Sequence, residues 1–558
     1  MTRLPALALG LRDGGRMAAF ERASGDPAAA QARVLARILA GAAGTAFGRD
    51  HGFGSIASPA DYARAVPVAG YERFRPYVDR ALLGEADVLH PGRPSLFQRT
   101  SGTTGQPKLV PAPRAWCDEM AAMTRLWVMA AVRDHPAAVA GRALVVTGAA
   151  VEERTAAGVP IGSASGLANE SAPGPVRRRF AVPPAVALVE DPDQRYFLTM
   201  RFALAHDVTA VATANPTTLV RLSDVARVHA DRLLDALAAG SPGVDEPAFA
   251  PVADARRARA ELRAACRPAP DRARALAREA SRAGALTPRA AWPRLALIGC
   301  WLGGSAGVHA GRLAAAFGDV PLRDLGLVAT EGRLTLPLAD GTPRGALCVD
   351  TTFFEFAPAG SSDRAVTMLA HELEDGRRYR VVVTGSNGLY RYDLHDVVEV
   401  RGFHRRTPMV AFLRKDGEFV SITGEKVHAD QVLEAVRGAE TATGVPVWQF
   451  RLVPDVDGLR HDLLVEPGAV VAEASARDLA GAFDRRLAEL NVEYAAKRRS
   501  GRLGPPRVHV MRPGWSERAA RAELADGRRE QQFKWSALVP AWDGVSRSDV
   551  ALTVDPLD

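Results

Sequence analysis

Cysteine is scarce in this chain. Its 558 residues include four, Cys117, Cys266, Cys300 and Cys348, far apart and with no Cys-x-x-Cys pair. That spacing argues against a zinc knuckle and against a disulfide framework, and reads as reduced thiols in a cytoplasmic protein. Aromatic residues make up only 6% of the chain, and no concentrated basic stripe interleaves with them, so a nucleic-acid interface is not expected. No stretch approaches the 18 or so uninterrupted apolar residues of a membrane span. The apolar run Leu4 to Leu11 is cut short by Arg12, Asp13 and Arg16, a poor signal peptide. A Walker A loop is missing too, because no Gly-x-x-x-x-Gly-Lys-Ser/Thr occurs at a helix mouth.

What is present is a globular composition, 47% apolar, with a net charge of +7 from 71 Lys+Arg against 64 Asp+Glu. Arginine is spread throughout, so the excess draws in anionic small molecules without marking one surface. The length exceeds one ordinary core and implies two or more domains.

The most informative segment is Thr100-Ser101-Gly102-Thr103-Thr104-Gly105-Gln106-Pro107-Lys108. Glycine lets the backbone approach a ligand. Successive N–H groups form an anion nest, and a lysine adds a mobile positive charge. With an apolar lead-in (Pro94-Ser95-Leu96-Phe97) and a helical pattern after Arg114, the loop is suited to a polyphosphate, although polar Gly/Ser/Thr surface loops are common.

The opening reads helical, with an alanine-rich helix over 28–39 and an N-cap, proline and capping-box acid at Ser58-Pro59-Ala60-Asp61. Ala143–Thr147, Val208–Ala212 and Arg294–Gly299 are buried-strand candidates. Residues 221–287, rich in Ala, Arg and Leu, read as a helical insertion with solvated arginine faces. Further strands are expected at Phe353–Phe356, Tyr379–Thr384 and Val397–Val400. The alternation predicts an α/β fold. After Phe412 a smaller α+β pattern begins, with helices from His428 and Ser475, a hairpin at Asp455–Gly458 and a strand at Arg507–Val510. The predicted division is a large N-terminal domain over 1–413, a hinge at 414–417 and a small mobile C-terminal domain over 418–558.

Several motifs then fall in a fixed order: Phe97 to Lys108; Thr330-Glu331-Gly332 followed by Phe353-Phe354-Glu355-Phe356; Tyr390-Arg391-Tyr392-Asp393-Leu394-His395-Asp396; Phe412-Leu413-Arg414 with Gly424-Glu425-Lys426; and Gln532-Phe533-Lys534. Together they resemble the acyl acid–amido synthetase family known from plant auxin and jasmonate conjugation, within the adenylate-forming enzymes. The resemblance covers nearly the whole chain. It implies the large and small domains of that fold and a two-step reaction. A carboxylic acid is activated by ATP as an acyl-AMP, and the acyl group passes to an amine, an amino acid above all.

By the same resemblance, Thr100, Ser101, Gly102, Thr103, Thr104, Gly105 and Lys108 hold the phosphates. Leu327, Val328, Ala329 and Thr330 line the adenine and α-phosphate, and Glu331 holds Mg2+. Asp396 and Arg414 serve the ribose and phosphate side, and Lys534 and Lys426 are the catalytic lysines. Each has a plainer alternative, such as a turn glutamate, a capping aspartate or a solvated lysine. Two departures stand out: Ala329-Thr330 replaces the usual pair of serines, and His395 replaces the small residue before the ribose-binding aspartate. The substrates implied are small molecules, with no nucleic acid or membrane partner and a monomer as the default. Two other readings remain. One is a thiol acceptor such as coenzyme A. The other is a serine hydrolase at Ser305, from Gly303-Gly304-Ser305-Ala306-Gly307, a Gly-x-Ser-x-Gly match between a strand and a helix.

Overall fold

The structure, a computed structural model, describes residues 3–99, 108–170, 172–251, 254–304, 309–361, 366–525 and 535–555. The chain forms two compact units. The first comprises residues 1–303 and 313–412, and the second 304–312 and 413–558.

The first unit is α/β and contains three larger sheets. Strands Arg142–Val145, Val208–Ala212, Leu297–Gly299 and Leu322–Arg323 form a four-stranded parallel sheet in chain order. Its strands are short and apolar, as parallel strands buried under helices must be. Helices Pro192–Leu204, Pro216–Val228, Ala230–Ala239 and Pro270–Ala283 supply much of the cover. Leu233, Leu237 and Leu276 join Val208 and Ile298 in one buried cluster. The 221–287 segment is helical as expected and most of its arginines are exposed, while most of its leucines join this core. One of its arginines, Arg272, donates to the carbonyls of Leu204 and Ala291.

A seven-stranded sheet runs in the order Thr335–Leu336, Gly345–Leu347, Thr407–Lys415, Tyr392–His404, Arg378–Thr384, Phe353–Pro358, Met368–Leu369. The pairings of its last four strands are antiparallel. Helices Pro27–Ala42 and Tyr71–Leu82 cover it, placing Leu35, Phe74 and Val78 in a cluster with Phe354, Tyr390 and Val398. Each such apolar side chain removed from water contributes about 2 kcal/mol. Ser58 caps the helix Pro59–Ala65 as its pattern predicts, accepting from the Asp61 N–H at 3.1 Å. A third, mixed sheet pairs Leu109–Ala112, Leu96–Arg99, Pro160–Gly162 and Glu153–Arg154.

The second unit is α+β. Strands Val447–Asp455, Arg460–Pro467, Arg507–Met511 and Val550–Val554 form one sheet. Helices Ala429–Thr443 and Glu473–Leu490 bury Val432, Val436, Leu479, Phe483 and Leu487 with Phe450, Leu463 and Val508. A short hairpin, Phe419–Val420 with Val427–His428, precedes the first helix. Among the described residues no helix is long and apolar enough to cross a membrane.

Candidate nucleotide and acyl-transfer site

In the first unit the two strands that flank the phosphate-type segment pair with each other. Strands Leu96–Arg99 and Leu109–Ala112 pair antiparallel, and Arg99 stands opposite Leu109. Thr100, Ser101, Gly102, Thr103, Thr104 and Gly105 lie outside the described residues. Lys108 is described, with its Nζ 5.7 Å from the centre of the Tyr71 ring. The Tyr71 hydroxyl donates to the Leu109 carbonyl at 2.9 Å, and the Leu109 N–H lies 3.1 Å from the same oxygen. One aromatic side chain thus pins the strand that follows Lys108.

The Leu327–Glu331 segment turns tightly. Val328 pairs with Arg333 and Ala329 with Gly332, leaving Thr330 and Glu331 at the tip. Three side chains hold that tip. Gln98 donates to the Thr330 carbonyl at 3.0 Å. The Trp116 indole and the Asn387 amide both donate to the Glu331 carbonyl, at 3.1 and 3.2 Å. The Thr330 hydroxyl donates to Glu331 Oε2 at 2.8 Å, which orients the carboxylate. Leu327 is held from the other side, its N–H donating to Thr335 Oγ1 at 2.8 Å. A two-residue tip with both carbonyls occupied keeps its carboxylate in one place.

Asp324 organises the ground beneath. Its carboxylate accepts the N–H groups of Leu302 and Gly326, and its carbonyl accepts the Trp127 indole at 2.8 Å. Gly326 sits at φ +84°, where a Cβ would lie 2.5 Å from the Thr335 carbonyl oxygen. Only glycine fits there. Burial pushes the Asp324 carboxyl up to about 6, against the pull of those backbone donors.

Asp396 is 4% exposed and lies on strand Tyr392–His404. Burial drives the Tyr392 phenol well above its usual range, and the negative fields of Glu331, Asp393 and Asp396 add to the effect. The Glu331 and Asp396 carboxylates therefore both act on Tyr392. Among the described residues, no group of three or more His, Cys, Asp or Glu could hold a metal by itself. One oriented carboxylate at Glu331 fits Mg2+, which is held by one or two carboxylates together with substrate phosphates.

In the second unit Arg414 is the penultimate residue of strand Thr407–Lys415, and the following turn is made by Asp416 and Gly417, the latter at φ +85°. The Arg414 guanidinium is mostly buried and engaged, with Nε 3.1 Å from Asp430. Lys426 is exposed, with its Nζ 5.7 Å from the Phe419 ring centre. Its backbone is fixed: the Lys426 carbonyl accepts from Asn491 at 2.8 Å. The preceding Glu425 is fully buried and accepts from the N–H groups of Ile422 and Thr423, the Thr423 hydroxyl and His461 Nε2 at 3.0 Å. Burial alone would raise the Glu425 carboxyl, but these donors, His461 foremost, hold it at about 2. Lys534 and Ser305 lie outside the described residues.

Gln98, Trp116, Asn387, Asp324 and Asp393 carry no signal in the sequence alone: all are ordinary polar or aromatic residues in element-forming contexts. Gln98, Trp116 and Asn387 act across more than 50 positions, and Asp324 and Asp393 each combine a local turn with a partner on another segment.

Family models match three consecutive parts of the chain: GH3 family N-terminal domain over residues 16–322, central domain over 345–415 and C-terminal domain over 430–541. An indole-3-acetic acid-amido synthetase, GH3.8 of Oryza sativa subsp. indica, is 25% identical over 541 residues, spanning 91% of this chain and 87% of the relative. The jasmonoyl–L-amino acid synthetase JAR6 of Nicotiana attenuata is 22% identical over 92% and 91%. Among solved structures, the AtGH3.15 acyl acid amido synthetase in complex with 2,4-DB superposes with a TM-score of 0.85 at 19% identity, over 97% of both chains. A 2-hydroxyisobutyryl-CoA ligase in its postadenylation state superposes at 0.53 with 15% identity, over 94% of this chain and 93% of the other. The fold is thus that of the adenylate-forming enzymes.

Proposed function

The chain belongs to the GH3 family, and from that membership we infer that it is an acyl acid–amido synthetase, a ligase that activates a carboxylic acid with ATP and joins it to an amine. We take an amino acid as the amine, Mg2+ as the metal that accompanies ATP, and a cytoplasmic monomer as the working form. The observation that carries the site assignment is the Thr330–Glu331 tip, both of whose carbonyls are occupied by side-chain donors.

Two anions, a carboxylate and the α-phosphate, must meet in the first half-reaction. A carboxylate oxygen attacks the α-phosphorus, the bond to the bridging oxygen breaks, and pyrophosphate leaves. Charge on the phosphate oxygens has to be met by preorganised donors and cations, and the two reactants have to be held together. Thr100 to Gly105 and Lys108 are assigned to the phosphates. Asp396 is assigned to the ribose hydroxyls, and Arg414 to the ribose or phosphate. The segment Leu327–Thr330 lines the base and α-phosphate. Lys534 bridges carboxylate and phosphate, and Lys426 is the second phosphate contact. Glu331 would hold Mg2+, which supplies charge neutralisation when bound.

In the second half-reaction the amine nitrogen attacks the acyl carbon, the bond to AMP breaks, and the nitrogen loses a proton. The products are amide and AMP.

The test is product identity. With one acid, ATP and a mixture of amino acids, mass spectrometry is expected to find an acyl–amino acid conjugate and AMP in equal amounts. Conversion to an acyl thioester with coenzyme A, and no conjugate with any amino acid, would replace the amine with a thiol as the acceptor.

A further inference from the structure

Strand Tyr392–His404 changes register beside the proposed ribose aspartate. Against its neighbour Arg378–Thr384 it pairs Asp393 with Val382 and Val397 with Arg380. Leu394, His395 and Asp396 therefore stand opposite Val381 alone. Such a bulge redirects the side chains that follow it and commonly lies next to a functional site.

The bulge has an unusual backbone. His395 sits at φ +56°, in the left-handed region, where a Cβ crowds the following carbonyl and glycine is the natural occupant. Nothing about a histidine favours that conformation strongly enough to hold it. The hold comes from Asp393. Its Oδ1 accepts the His395 N–H at 2.9 Å, the local side-chain turn that aspartate forms two residues ahead of itself. Its other oxygen, Oδ2, lies 3.3 Å from Arg380 Nε on the neighbouring strand, and both side chains are 3% exposed. The segment leading into the bulge is tied down as well. The Asp393 N–H donates to the Ala69 carbonyl at 2.9 Å, and the Ala69 N–H donates to the Arg391 carbonyl at 3.1 Å.

We propose that Asp393, oriented by Arg380, is a positioning residue for nucleotide binding: it holds His395 left-handed and so aims the Asp396 carboxylate at the ribose hydroxyls. The inference rests on Asp396 meeting the ribose. It assigns to Asp393 and Arg380 a part in ATP recognition although neither touches the nucleotide.

The readout is the preference for ATP over 2′-deoxy-ATP, measured as the ratio of dissociation constants. A residue that only stabilises the sheet would not move it. Asp396→Asn is made first. It is expected to abolish the preference, and an unchanged preference would overturn the ribose assignment itself. Arg380→Met/Asp393→Leu removes both charges together, so that neither is left buried and unpaired. This variant is expected to lose the preference about tenfold. Adding His395→Gly to it is expected to restore the preference, because glycine enters the left-handed region unaided.

A second pair decides the matter should the charge-free variant not fold. His395→Gly in the otherwise natural chain keeps the preference, whereas His395→Val, whose branched Cβ resists positive φ, loses it. The inference is overturned if Asp396→Asn abolishes the preference while the charge-free variant retains it. It is equally overturned if His395→Gly fails to restore it, or if His395→Gly and His395→Val lose it alike.

Discussion

Gln98 donates its side-chain N–H to the carbonyl oxygen of Thr330 across 232 positions of sequence. The strand that leads into the phosphate-type loop thereby holds the tip that carries Glu331. Gln98 is 7% exposed and the Thr330 carbonyl is part-buried, so loss of that donor costs about 1 kcal/mol. Gln98→Ala is expected to lower kcat/KM for ATP about tenfold with the fold intact by circular dichroism. Gln98→Glu, close in shape, is expected to be no better, because an ionised carboxylate cannot donate to a carbonyl. Near-normal kinetics for either variant would show that the tip is fixed without Gln98.

The buried carboxylate of Glu425 makes a pH prediction. Its pKa is about 2 in the folded chain, against about 4.3 unfolded. The group therefore contributes stability that is fully present above pH 5 and is lost as pH falls through its folded value. The contribution is about 3 kcal/mol. Glu425→Gln is expected to be less stable than the natural chain at pH 7, with the gap in urea unfolding closing as pH is lowered toward 3. A constant gap would mean that packing, not ionisation, sets the difference.

Asp324 runs the other way. Its folded pKa of about 6 lies above the unfolded value near 4. Between those limits the folded chain keeps a proton that the unfolded chain has lost. The associated stability is present below pH 4 and is gone above pH 6, a change of about 3 kcal/mol. The stability of Asp324→Asn relative to the natural chain is expected to rise between pH 4 and pH 7. A parallel pair of stability curves would contradict the assignment.

Arg391 and Glu355 form a buried pair, with Nη2 2.8 Å from Oε1 and both side chains at most 5% exposed. Arg391 also donates to the carbonyls of Ala63 and Val66. Arg391→Met strands the carboxylate and is expected to cost about 3–5 kcal/mol in denaturant unfolding. Arg391→Met/Glu355→Leu is expected to recover much of that. If the double variant were no more stable than the single one, the loss would lie in the carbonyl contacts instead.

The sequence is legible where one residue type answers one local need. Ser58 and Pro59 announce a helix start, the apolar run Val208–Ala212 a buried strand, and the spacing from Ser475 to Leu490 a helix with one apolar face. Lys108 and the glycines before it suggest an anion. Where the need is set across the fold, the same residues say little. Nothing in Gln98 or Asn387 indicates that both will meet one turn, and the turn by which Asp393 holds His395 at positive φ draws on Arg380 from the neighbouring strand. For 221–287 the arginines read as solvated faces and most are exposed, while most of the leucines between them pack into the core of the parallel sheet. The site's order was visible as motifs; the clamps that fix it were not.

The most direct measurement is acid-dependent exchange of pyrophosphate into ATP across a panel of aryl, indolyl and fatty acids, with the natural chain and with Lys534→Ala. Exchange is expected to require one class of acid and to collapse in the variant. No exchange with any acid, or exchange unaffected by Lys534→Ala, would contradict the assignment: the first result denies adenylation, the second the role of Lys534.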